Sequence, residues 1–209
     1  MDLSDIFFMG IVVCVGLLAF ALTVFLANLI RGNQPEKAKA ASFDKEDEHK
    51  GAAALLRAVR RRAAAESWAV IAPVELSGSR DAADLDALVI GWFGVLGIKC
   101  IGWGGTIYGS AAEAEWTQVL GGARRSFENP IVRAGKSERA VRDVLFAARM
   151  KNVPVETVVV FTNAAAELCL PASTGHYTEK SFLAYLKSSR FEEDKKVDTA
   201  AVAALLGKK

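Results

Sequence analysis

Two short apolar runs, Asp84-Leu-Asp-Ala-Leu-Val-Ile90 and Gly94-Val-Leu-Gly-Ile-Lys-Cys100, each carry one group able to do chemistry: the carboxylate of Asp86 and the amine of Lys99. An acid and a lysine on neighbouring strands is a pattern used in metal-dependent phosphodiester cleavage, and that chemistry wants a second acid. Residues two apart in a strand share a face, so a carboxylate at position 97 would stand beside Lys99 over the same site. The residue there is Gly97. Asp84, which shares the parity of Asp86, is a candidate replacement, as are Glu75, Glu113 and Glu115 in adjacent segments.

These residues need elements to hold them. The link Gly91-Trp92-Phe93-Gly94 is short and bounded by glycines, which predicts an antiparallel hairpin. Upstream, Ser67 to Leu76 mixes β-branched and aromatic residues and predicts a first strand, with Pro73 placing it at an edge. A helix over residues 51–66 carries Leu55, Leu56 and Val59 on one side and Arg57, Arg60, Arg61 and Arg62 largely on the other. Beyond a loop containing Trp116 and Asn129-Pro130, Ser137 is placed to cap a helix running to Lys151, with Val141, Val144, Leu145 and Ala148 as its stripe. Glu156 to Phe161 reads as a buried central strand, followed by helices over about 179–188 and 197–206. The order is helix, three strands, helix, strand, helix: an α/β fold without an internal repeat.

Composition narrows the rest. At 52% apolar the chain has enough to build one core, and a net charge of +2 gives no global attraction to nucleic acid, so such binding must come from a local patch. Ile6 to Ile30 is an uncharged apolar run, long enough to cross a hydrocarbon core of ~30 Å with some tilt. A cleaved signal fits poorly. Asp2 and Asp5 lead the run without a Lys or Arg, and the small-residue site Ala19-Phe20-Ala21 falls inside it. Arg31, Lys37, Lys39 and Lys45 all follow the run, which places the N-terminus outside and the bulk of the chain in the cytoplasm, at the inner (plasma) membrane. The expected division is a transmembrane anchor over 1–31, a polar tether over 32–50, a cytoplasmic domain over 51–190 and a tail helix over 191–209. Cys14, Cys100 and Cys169 fall in apolar runs in a reducing compartment, so no disulfide-linked partner is expected.

The element order resembles the restriction-endonuclease-like PD-(D/E)xK superfamily, and within it the nuclease-related domain, NERD. The resemblance rests on Asp84-Leu85-Asp86, Gly94-Val95 leading into Ile98-Lys99, the glycine-rich Gly105-Thr-Ile-Tyr-Gly109, Trp116, Asn129-Pro130 and the strand Val158-Val-Val-Phe161. It implies a restriction-endonuclease-like core in which Asp86, with the missing acid or Asp84 in its place, would hold Mg²⁺. Lys99 would then position a water for attack on a phosphodiester. The family often has Gln three residues after Asn-Pro, where this chain has Arg133. With Gly97 and Arg133 both departing from the pattern, the expectation is a degenerate member. It would need no cofactor and would bind nucleic acid or a protein partner at the membrane that residues 6–30 cross. An active Mg²⁺-dependent nuclease with a relocated acid is the alternative, and a structural subunit of a membrane assembly is a third.

Arg57, Arg60, Arg61, Arg62 and Arg133 are the candidate nucleic-acid or lipid contacts, although an arginine run is most often a solvated helix face. Other templates fail. Ala134-Gly135-Lys136-Ser137 ends like a phosphate-binding loop, but Pro130 stands where its first glycine belongs. Gly102-Trp-Gly-Gly lacks the third glycine of a dinucleotide fingerprint, and His49 and His176 have no metal-ligand spacing.

Overall fold

The structure is a computed structural model that describes residues 48–76 and 83–208. The apolar run Ile6–Ile30 and most of the expected tether lie outside the described residues, among which no helix is long and apolar enough to cross a membrane.

The hairpin forms where its glycines place it. Strands β2 (Ala87–Gly91) and β3 (Gly94–Ile101) pair antiparallel from Gly91 opposite Gly94 to Ala87 opposite Ile98. Strand β7 (Val155–Phe161) lies parallel along the other edge of β3, from Val95 opposite Val155 to Ile101 opposite Phe161. Strands β1 (Ala69–Ile71) and β9 (His176–Thr178) complete a five-stranded sheet in the order β1-β2-β3-β7-β9. β3 is therefore central and buried throughout, with Lys99 the one charged residue in an otherwise apolar strand.

Parity divides its side chains between two cores. Leu96, Ile98 and Cys100 pack with Leu55, Val59 and Ala63 of helix α1 (Ala52–Ala65) and with Phe182 of helix α3 (Glu179–Tyr185). Val95, with Leu88 and Ile90 of β2, packs instead against Val141, Val144 and Leu145 of helix α2 (Pro130–Ala147) and Val202 and Leu206 of helix α4 (Thr199–Leu206). The result is a helix–sheet–helix sandwich, and Lys99 lies on the α2 side by parity with Val95 and Gly97.

Several expectations are corrected. The segment treated as a loop around Trp116 folds as a second sheet, ordered β6-β5-β4-β8, from β4 (Gly105–Tyr108), β5 (Glu115–Leu120), β6 (Ala123–Glu128) and β8 (Ala166–Cys169). Its β5-β6 hairpin turns at Gly121-Gly122, both at positive φ, a signal that was available. The expected first strand shortens to Ala69–Ile71. Helix α2 begins at Pro130 rather than Ser137, because the Asn129 side chain accepts from Ile131 N–H at 2.9 Å and Pro130 supplies a preset first helical residue. Asn129 also donates to the carbonyls of Ser110 and Glu113, tying the second sheet to the helix start. The tail helix inserts Val202 and Leu206 into the α2 core.

Candidate functional site

The α2 face of β3 gathers a charged cluster around one buried amine. Lys99 is 2% exposed, and its Nζ donates to Asp84 Oδ1 at 2.6 Å and lies 3.5 Å from Glu48 Oε1. Arg133, in the first turn of α2, pairs with the other carboxylate oxygen of Asp84 and lies 3.3 Å from the same Glu48 oxygen. Two acids and two bases thus alternate around a closed ring. Burial alone would raise the Asp84 pKa, but the hydrogen bond and charge of Lys99, joined by Arg133, outweigh it and hold the carboxyl below its ordinary value. Asp84 is anchored from its backbone too: its N–H donates to Ser137 Oγ at 3.0 Å, and that hydroxyl donates to the Arg133 carbonyl.

Asp86 takes different partners. Its Oδ2 accepts the Cys100 N–H at 2.7 Å and its Oδ1 lies 3.2 Å from His49 Nδ1. The carboxylate so continues the β2-β3 ladder past Ala87, and it makes no ion pair with Lys99 among the described residues. The parity argument that put Asp84 and Asp86 on one face does not hold, because residues 83–86 precede β2 and are not in strand conformation. Burial, with the Asp86 charge adding to it, pushes the Cys100 thiol up to about 12.

The place where a second acid would stand is crowded at its first atom. A Cβ on Gly97 would lie 2.9 Å from Leu85 Cδ1 and 2.9 Å from Thr157 Cγ2, both closer than real Cβ contacts. Neither neighbour is loose. Leu85 is packed in the α2 core, and Thr157, the parallel partner of Gly97, donates its hydroxyl to the Ala134 carbonyl at 3.0 Å.

A model of the nuclease-related domain, NERD, matches residues 45–162, more than half of the chain. The chain belongs to this family. No curated protein and no solved structure matches it. The NERD match takes in every member of the charged cluster, from Glu48 to Arg133, together with α1 and strands β1 to β7. The mixed α/β architecture is consistent with a nuclease-like domain.

Whether a divalent cation fits this NERD site turns on the donors. Mg²⁺ is held by one or two carboxylates plus substrate phosphates, but Gly97 offers no ligand, and a Cβ there would crowd Leu85 and Thr157. Asp84 and Glu48 already face Lys99 and Arg133, and Asp86 faces a backbone N–H and His49. Among the described residues, no three His, Cys, Asp or Glu side chains converge to hold a metal. The donors as arranged do not fit the ion.

Of the other residues singled out, Glu75, Glu113 and Glu115 are exposed and none is paired with Lys99. Arg62 is engaged: it pairs with Glu66 at 2.9 Å and lies 5.9 Å from the centre of the Trp68 ring. Arg57, Arg60 and Arg61 are exposed. Glu48 was missed, because its position comes from the Gly102 N–H bonded to its carbonyl at 2.6 Å, a contact with no local signal. Arg133 and Ser137 had a signal. Starting α2 at Pro130 puts them one turn apart on a single face.

Proposed function

We propose that this NERD domain no longer cleaves phosphodiesters and acts as a binding module, held at the cytoplasmic face of the plasma membrane by Ile6–Ile30 with the N-terminus outside. The observation that carries the reading is Gly97 itself, which offers no ligand and where even a Cβ would crowd Leu85 Cδ1 and Thr157 Cγ2 at 2.9 Å. The ring of Asp84, Glu48, Lys99 and Arg133 supports it. Its acids are neutralised internally, so the lysine is an anchor for carboxylates instead of a group facing a substrate phosphate. The partner in this reading is a nucleic-acid strand or a protein.

A nuclease with relocated acids is the competing reading, favoured by the approach of both Asp84 and Glu48 to Lys99. It requires Arg133 to leave. Calorimetric titration of the full chain with Mn²⁺ separates the two: the binding-module reading expects no saturable uptake, while uptake abolished by Asp84→Asn supports relocated acids. Oligonucleotide binding measured against salt then sorts the partner. Phosphate contacts weaken as salt rises, so absent or salt-insensitive binding assigns the module to a protein.

A further inference from the structure

A groove of about 600 Å³ runs between α1 and the segment after β1. Its floor is apolar, made by Leu56, Val74 and Leu85, and its rim carries Arg57 and Arg60. These two arginines stand three apart on one helix, so their Cβ atoms are about 5–6 Å apart. Helix α1 contains no acid. Among the described residues, Arg60 makes one long contact, 3.4 Å, to the Ala72 carbonyl, and Arg57 has no ion pair. Asp86, the one carboxylate among the described lining residues, is committed to the Cys100 N–H and His49.

We infer that this groove binds an anionic phospholipid of the inner leaflet, with the headgroup phosphate on Arg57 and Arg60 and the glycerol and upper acyl chain on the apolar floor. A pair of guanidinium groups matches phosphate geometry, and a floor of Leu and Val matches hydrocarbon. A nucleic-acid strand would also satisfy the arginines, but strand-binding grooves add aromatic rings on which bases stack, and among the described residues no aromatic side chain lines this one. The inference rests on the membrane-anchored part of the proposed function.

The test uses the full chain in nanodiscs of neutral phosphatidylcholine or of phosphatidylcholine mixed with phosphatidylglycerol. Phenylglyoxal modification of individual arginines is read by mass spectrometry. Arg57 and Arg60 should react more slowly in the anionic discs, while Arg190, which pairs with Glu156, should react equally in both. Each arginine at an anionic leaflet contributes about 1 kcal/mol, so Arg57→Gln should reduce the lipid protection of Arg60 roughly fivefold. Both side chains are exposed, so the substitution spares the core. Equal reactivity in the two discs overturns the proposal, as does protection in neutral discs by an added oligonucleotide exceeding that given by phosphatidylglycerol. Failure of the anchor registers separately, as loss of the chain from membranes in alkaline carbonate. The same protection is then read on the full chain with phosphatidylglycerol vesicles, where its absence overturns the lipid assignment.

Discussion

Gly97→Ala adds one methyl group at the position on which the site turns, and its cost follows from two opposing effects. Replacing a strand glycine reduces the entropy lost on folding, a gain of about 0.5–1 kcal/mol. Against this, the new Cβ lies 2.9 Å from Leu85 Cδ1 and from Thr157 Cγ2, and overpacking a filled core costs about 1–3 kcal/mol. Leu85 is 7% exposed and Thr157 is hydrogen-bonded to α2, so neither yields freely. The net effect is a loss of about 1–2 kcal/mol, which lowers Tm by roughly 2–8 °C for a domain of this size. Tryptophan fluorescence is the assay, since Trp68, Trp92, Trp103 and Trp116 all lie in the described domain. A double-mutant cycle identifies the cause. Leu85→Ala alone should cost about 2–5 kcal/mol, and in that background Gly97→Ala should be neutral or stabilising, a coupling of about 1–2 kcal/mol. An unchanged or raised Tm for Gly97→Ala, or strict additivity with Leu85→Ala, would refute the argument that the acid's place is crowded.

Asp86→Ala should lower stability by about 1–3 kcal/mol by leaving the buried Cys100 N–H without its acceptor. Asp86→Asn, which keeps an acceptor oxygen, should recover much of that in the same melts. The depressed pKa of Asp84 means its contribution is complete above the unfolded carboxyl value near 4 and is lost as pH falls through the folded value. Asp84→Asn should therefore flatten the acid limb of an unfolding curve and leave the neutral region's slope unchanged. With its thiol pushed up to about 12 and no exposed surface, Cys100 should resist iodoacetamide at neutral pH until the chain is denatured, whereas the exposed Cys169 should react at once.

The hairpin and the buried strand β7 were legible because their determinants are local: glycines at both ends of the turn, and a β-branched run too continuous for a strand exposed on one face. So was the presence of α1, α2 and α4, from helical spacing. The second sheet was obscured by its own chemistry. β6 alternates Arg124, Ser126 and Glu128 with Ala123, Arg125 and Phe127 and is only half buried, so its pattern resembles a polar loop. Within the site, Lys99 could be placed by parity along a regular strand, while Asp84 and Asp86 could not, since the chain leaves strand geometry just before β2. Glu48 reaches Lys99 through a long-range backbone bond to Gly102 that leaves no pattern in neighbouring residues. The space at Gly97 depends on Leu85 and Thr157 from two separate segments, and sequence spacing carries no measure of such volume.

The most direct measurement is cleavage of labelled single- and double-stranded DNA and RNA by the full chain with Mg²⁺ or Mn²⁺, beside Lys99→Ala and Asp86→Ala. The account predicts no cleavage above buffer for the parent chain and no difference among the three proteins. Metal-dependent cleavage by the parent that disappears in Lys99→Ala would contradict it.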